Sequence, residues 1–281
     1  MLRKKAVAKK EVLVTKQPFV SSEKSIHKSN QIKSFKLATD KKGKLKILGA
    51  GVFGTVYLGK VVFQDGLKTS VKTVAIKRFE AHAEINDQKA RIYQNVIDGL
   101  REISLMPDKD YPNRSARAKL FPKAAMVKIN FDGAPEWVMV SQAFYSKKKG
   151  SKLKHGLDYK NVLKILSNPE VLNKYIKEFC WVRLKIAEKF GFAGDVVTSL
   201  NKVNTLAIDL DCIAHGQKIT TREKANDLVF SLNELPGASL EIKRKAAKTF
   251  LSMDMPKDLR KEFIKELIRS KILLEKGDDL W

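Results

Sequence analysis

The chain is poor in cysteine, histidine, acidic residues and long apolar runs. Two cysteines, Cys180 and Cys212, cannot build a disulfide framework, so a reducing compartment, the cytoplasm, is the default. The four histidines (His27, His82, His155, His215) are scattered. None makes a helical H-x-x-x-H pair, and no zinc spacing is present. No apolar run approaches the roughly 18 residues that span a bilayer, so no transmembrane segment is expected. The opening MLRKKAVAKKEVLV has charges throughout and lacks the continuous apolar middle of a secretory signal. There is no internal repeat.

What is present is a core. Of 281 residues, 43% are hydrophobic, with 14 Phe, 6 Tyr and 3 Trp; a disordered chain would be poorer in these. Asp plus Glu is 31 against 55 Lys plus Arg, a net charge of +24. Such an excess points to an anionic partner: nucleic acid, an acidic membrane surface or a phosphorylated ligand. Residues 1–46 hold fourteen basic side chains against three acidic ones, Glu11, Glu23 and Asp40. A second cluster is Lys147, Lys148, Lys149, Lys152 and Lys154. Such runs are most often solvated faces. No aromatic residue interleaves this cluster, as stacking on single-stranded nucleic acid needs, so nucleic acid ranks last among the partners.

Hydrophobic patterning divides the chain in three. Residues 1–43 read as a basic, poorly ordered arm or a loosely docked strand. Residues 44–145 read as strand, glycine turn, strand, turn, strand, then a helix over 84–105 and a hairpin. The strand segments are Lys44–Leu48, Thr55–Leu58, Val61–Phe63 and Lys72–Lys77. The helix should bury Ile85, Ile92, Val96, Leu100 and Ile103. Residues 108–122 read as a polar loop. Ala125–Ile129 and Trp137–Val140 form the hairpin around Asp132-Gly133. Residues 146–281 follow a charged join and are mostly helical. A long helix is expected over 169–190, burying Val171, Leu172, Tyr175, Ile176, Phe179, Ile186 and Phe190. Leu206-Ala207-Ile208 reads as a short strand.

The chemistry-bearing pattern starts at Gly49-Ala50-Gly51-Val52-Phe53-Gly54-Thr55-Val56, a G-x-G-x-x-G-x-V. Strand formers follow it rather than a helix, which favours a glycine hairpin over phosphates against a dinucleotide fold. Glycine lets the backbone approach phosphate and offer its N–H groups. Val74-Ala75-Ile76-Lys77 then ends an apolar strand in a cation. The helix after it carries Arg101-Glu102-Ile103-Ser104-Leu105-Met106.

This order resembles the protein-kinase superfamily over about 45–145, and more weakly beyond. The resemblance implies an α+β, bilobal protein-kinase-like fold, with a β-rich N-lobe carrying one helix and a helical C-lobe. It implies ATP and Mg²⁺ as cofactors. Gly49, Ala50, Gly51, Val52, Phe53, Gly54, Val56, Ala75, Lys77 and Gln142 would bind the nucleotide. Glu102 would pair with Lys77, with Glu84 and Asp98 as rivals. The long Gly54-to-Lys77 separation implies an extended turn near Asp65–Ser70. Asp209, closing Leu206-Ala207-Ile208-Asp209, would bind metal; its alternative is a turn or helix N-cap. Gly191-Phe192-Ala193-Gly194-Asp195 looks like a shortened catalytic loop with Asp195 as base, lacking the family's histidine and arginine. Leu200 stands where the family has its metal-binding asparagine, and Asn201 and Asn204 are the nearest candidates, Asn201 taken first. His155–Asn161 mimics the catalytic loop but precedes the long helix.

The implied activity is ATP-dependent phosphorylation of protein Ser/Thr hydroxyls. Two alternatives stand beside it. Residues 209–251 loosely resemble the lipopolysaccharide-core sugar kinases, which fits the lack of an evident activation loop and A-P-E motif. The other is a catalytically weak pseudokinase acting as a basic nucleotide-binding docking module. A protein substrate or an acidic partner surface is expected, including peripheral contact with an acidic membrane.

Overall fold

The computed structural model describes residues 31–51, 53–65, 68–80, 85–121, 123–130, 134–143, 163, 165–191, 195–199, 204–209, 219–235, 237 and 239–273; for 31–33, 63–65, 68, 195–199 and 204–209 it describes backbone alone. The chain is α+β, an antiparallel sheet with helices. It splits into two compact units, Met1–Arg91 with Ala124–Phe144, and Ile92–Lys123 with Tyr145–Trp281. Residues 92–123, expected with the first unit, belong to the second.

The first unit is one antiparallel sheet. Its strands are β1 (Gln31–Leu37), β2 (Ile47–Gly51), β3 (Gly54–Asp65), β4 (Lys68–Phe79), β5 (Ala124–Asn130) and β6 (Pro135–Gln142). The order is β1-β3-β4-β6-β5, with β2 also on β3. Alternation sets the two faces. Phe35, Val61, Val74, Ile76, Ile129, Val138 and Val140 share one face and form the buried cluster, with Leu37, Tyr57 and Val127 against it. The expected hairpin at 125–140 is β5–β6. The extended turn expected near Asp65–Ser70 is not there: β3 and β4 pair without a break from Gly54↔Phe79 to Asp65↔Lys68. The extra length went into the ladder, where alternate residue pairs exchange two backbone hydrogen bonds. The basic segment at 31–37 is the strand β1.

Helix α1 (Asp87–Leu105) starts in the first unit and passes into the second at Ile92. Asn86 caps it, its side-chain oxygen accepting the Lys89 N–H at 2.8 Å. Its buried apolar side chains are Ala90, Tyr93, Val96, Ile97, Leu100 and Ile103. Ile92, expected inside, is 40% exposed. It sits about 100° around the axis from Tyr93, and Tyr93 takes the core position.

In the second unit, α3 (Pro169–Phe190) has the expected limits. Asn168 accepts from the Glu170 and Val171 N–H groups, Pro169 needs no donor partner, and Gly191 ends the helix at φ 84°. Tyr175, Ile176, Phe179 and Ile186 are buried as expected; Val171, Leu172 and Phe190 are half-buried. Cys180, Trp181, Val182, Arg183, Leu184 and Ala187 are buried too, so the middle of α3 is enclosed on all sides. It packs on the hairpin β7 (Asp195–Ser199)–β8 (Asn204–Asp209), on α4 (Thr221–Ser231) and on α5 (Leu240–Ser252). The last described helix is α6 (Lys257–Arg269). The short strand expected at 206–208 is β8.

The expected polar loop over 108–122 contains α2 (Arg114–Leu120) and a buried polar hub. Asp108 accepts from the Asp110 and Tyr111 N–H groups at 3.0 and 2.9 Å and from Trp181 Nε1 at 2.9 Å. It also pairs with Lys185 at 3.2 Å. Burial works to raise the Asp108 carboxyl, but the hydrogen bonds from Trp181 and Tyr111 and the Lys185 charge hold it below its ordinary value. Folding therefore favours its ionised form. That contribution is complete above about pH 4 and is lost as pH falls through the folded value. Thermal melts should fall more steeply below pH 4 for the native chain than for Asp108→Asn, which starts lower at neutral pH.

Candidate functional site

The glycine motif is a β-hairpin, β2–β3. Gly49 pairs with Val56, Ala50 with Thr55 and Gly51 with Gly54. Val52 lies outside the described residues. Phe53, at the tip, is 40% exposed, and its carbonyl accepts the Glu80 N–H at 3.3 Å. Gly54 has φ 154°, and a Cβ there would lie 2.2 Å from the Arg78 carbonyl oxygen. That glycine is required by the fold. A Cβ on Gly51 would meet nothing within 4 Å, and Gly51 has no positive φ. Neither packing nor backbone geometry inside the protein demands glycine there.

Directly below this hairpin, β4 carries the V-A-I-K segment. Lys77 is the register partner of Val56 on β3 and of Met139 on β6; Ala75 partners Leu58 and Ser141. Opposed residues share a face, so Val56, Ala75, Lys77, Met139 and Ser141 line the face opposite the Phe35–Val140 cluster. Ala75 and Met139 are buried and Lys77 is half-buried. The Lys77 ammonium stands 5.6 Å from the Phe79 ring centroid. Gln142, expected to touch the nucleotide, is exposed at the end of β6 opposite Val74. The structure thus brings together the hairpin, Val56, Ala75 and Lys77.

The remaining predicted residues belong to the second unit. Glu102 is on α1, where the Lys189 ammonium holds its carboxylate at 2.6 Å. Asp98 accepts from Gln94 Nε2 at 3.1 Å; Glu84 lies outside the described residues. Asp195 opens β7 and Asp209 closes β8, and the two are register partners, with an irregularity after Asp195. Asp195 is the first strand residue rather than a loop residue. Asn204 starts β8 opposite Ser199. Asn201, the Lys147–Lys154 cluster, His155–Asn161 and the four histidines lie outside the described residues. Among the described residues, no group of three or more His, Cys, Asp or Glu could hold a metal ion.

A cavity that the sequence did not indicate lies within the first unit. Its volume is about 960 Å³, and it is lined by Thr55, Tyr57, Arg78, Phe79, Glu80, Ile85–Gln88, Lys128 and Pro135–Trp137. Lys77 does not line it, whereas the next two residues of β4, Arg78 and Phe79, do. Asp87 closes one side by accepting from Trp137 Nε1 at 2.7 Å and pairing with Lys128 at 3.4 Å. The Trp137 hydrogen bond, then the Lys128 contacts, hold its carboxyl below the ordinary value. Arg78 Nε lies 3.0 Å from Glu136. These partners stand 41 to 58 residues apart in sequence, a separation that no local pattern reveals.

The chain matches no protein-family model and no curated protein.

Proposed function

We propose that this chain is an ATP-dependent phosphotransferase of the protein-kinase-like superfamily, acting on Ser/Thr hydroxyls of protein. One observation carries the reading: a glycine hairpin with free space at Gly51 stands beside a strand lysine, Lys77, paired to Val56. The open position at Gly51 suits a backbone that approaches a bulky anion from outside. The ammonium of Lys77, a half-buried residue, suits neutralisation of the α/β-phosphates.

The first unit, in this reading, binds and orients the nucleotide through the hairpin N–H groups, Val56, Ala75 and Lys77. The carboxylates of the reaction are Asp195 and Asp209. Asp195 takes the proton of the acceptor hydroxyl, whose oxygen bonds to the γ-phosphorus as the γ-phosphorus–oxygen bond to ADP breaks. Asp209 would hold Mg²⁺ as a hard oxygen ligand, with Asn201 as a further candidate. The metal, when bound, neutralises charge on the transferring phosphate. The register pairing of Asp195 with Asp209 supports a shared task. Catalysis of this kind is positioning plus electrostatic stabilisation.

The deciding experiment incubates the full chain with γ-labelled ATP, Mg²⁺ and a generic basic protein substrate. Label on protein, lost in Asp209→Asn, is the expected outcome. Label on a lipid-linked sugar and none on protein would replace the acceptor. Stabilisation by ATP–Mg²⁺ without any transfer would leave a binding module.

A further inference from the structure

We propose that the lysine-rich edge of the first unit, around the β1–β2 connection, docks the protein on an anionic lipid bilayer. This rests on that surface alone and not on the phosphotransferase reading. Residues 34–62 contain six lysines (Lys36, Lys41, Lys42, Lys44, Lys46, Lys60) and one acidic residue, Asp40. The Asp40 carboxylate faces inward on its own turn, accepting the Lys42 and Lys44 N–H groups at 2.8 and 2.9 Å. Among the described residues none of the six lysines forms an ion pair.

The strands concentrate this charge. Lys36 and Lys60 are exposed register partners on β1 and β3. Like charges directly opposite are unfavourable in the ladder itself, and an external anion relieves them. Lys46 joins them, its N–H donating to Ala38 at 2.8 Å and its carbonyl accepting from Leu58 at 2.9 Å. Leu45 and Ile47 alternate with Lys44 and Lys46, so they take the other side of this extended segment, and they stand 42% and 50% exposed at the same edge. An edge with lysines on one side and exposed aliphatic side chains on the other matches a bilayer interface, where charge meets headgroups and apolar groups enter the acyl boundary. A nucleic-acid backbone offers Leu45 and Ile47 nothing, and no aromatic residue is present in this segment to stack except at 35, 53 and 57, of which Phe35 is buried.

The test is co-sedimentation of the full chain with vesicles. Binding is expected to phosphatidylcholine mixed with phosphatidylserine and not to phosphatidylcholine alone, and it should weaken with salt. Lys36→Glu places opposite charges across the ladder, and Lys41→Glu with Lys44→Glu lies in an exposed turn, so both variants should keep the native melting temperature. Each lost lysine should weaken binding roughly fivefold. Leu45→Ser with Ile47→Ser should weaken it severalfold at fixed charge. The proposal is overturned if these variants bind like the native chain while Lys4, Lys5, Lys9 and Lys10→Gln abolish binding. It is equally overturned if the serine pair changes nothing and duplex DNA displaces the vesicles.

Discussion

Lys77→Met should lower phosphoryl transfer by roughly 10²–10³-fold, the usual cost of removing one preorganised charge that stabilises the transition state. Met keeps the length and the apolar stem of lysine, so the strand and its pairing with Val56 and Met139 remain. The melting temperature without ligand should stay near the native value. The added stability from ATP–Mg²⁺ should shrink, because the variant loses phosphate affinity as well as rate. Both are read from the same preparation, by label transfer and by thermal melts with and without nucleotide. Unchanged transfer and unchanged nucleotide stabilisation would remove Lys77 from the site. Arg78→Met is the informative neighbour. It lies on the opposite face, against Glu136, and should leave transfer near native.

Trp181→Ala should be the most destabilising single truncation in the second unit. Trp181 is fully buried at the middle of α3. Its ring lies 5.5 Å from that of Tyr111 and 6.0 Å from that of Phe121. Its Nε1 donates to Asp108. Deleting a buried aromatic side chain costs about 3–5 kcal/mol, which corresponds to a fall in Tm on the order of 10 °C. Trp181→Phe keeps most of the ring contact and loses only the hydrogen bond, so it should cost about 1–2 kcal/mol. A similar Tm for both variants would mean that packing around Trp181 matters little and that the Asp108 hydrogen bond carries the effect.

Much of the fold was legible because its signals are local. Asn168-Pro169 and Gly191 mark the ends of α3 within a turn of the helix, where capping acts. Alternation within β5 and β6 marked a hairpin. Ile92 misled because one residue of phase decides which side of a helix is buried. The α2 segment was missed because its seven residues, RSARAKL, are mostly polar; it is held by an Asn113 cap and by burial of Arg117 and Leu120 instead of by a hydrophobic stripe.

The candidate site divides the same way. The sequence alone fixed which chemistry is on offer: a glycine hairpin, a strand lysine, a strand-ending aspartate, and a net charge of +24 concentrated toward the N-terminus. Order along the chain and short spacing carry those features. Tertiary structure decided what each residue touches. It separated the glycine that the fold needs, Gly54, from the one it does not, Gly51. It set Lys77 against Val56, gave Glu102 to Lys189 across 87 residues, and left six lysines around the β1–β2 connection without an ion pair among the described residues. Capping and alternation act over a few residues and can be read in a line of text. Register and ion pairing join residues that only the closed chain brings together, so they are written in the fold.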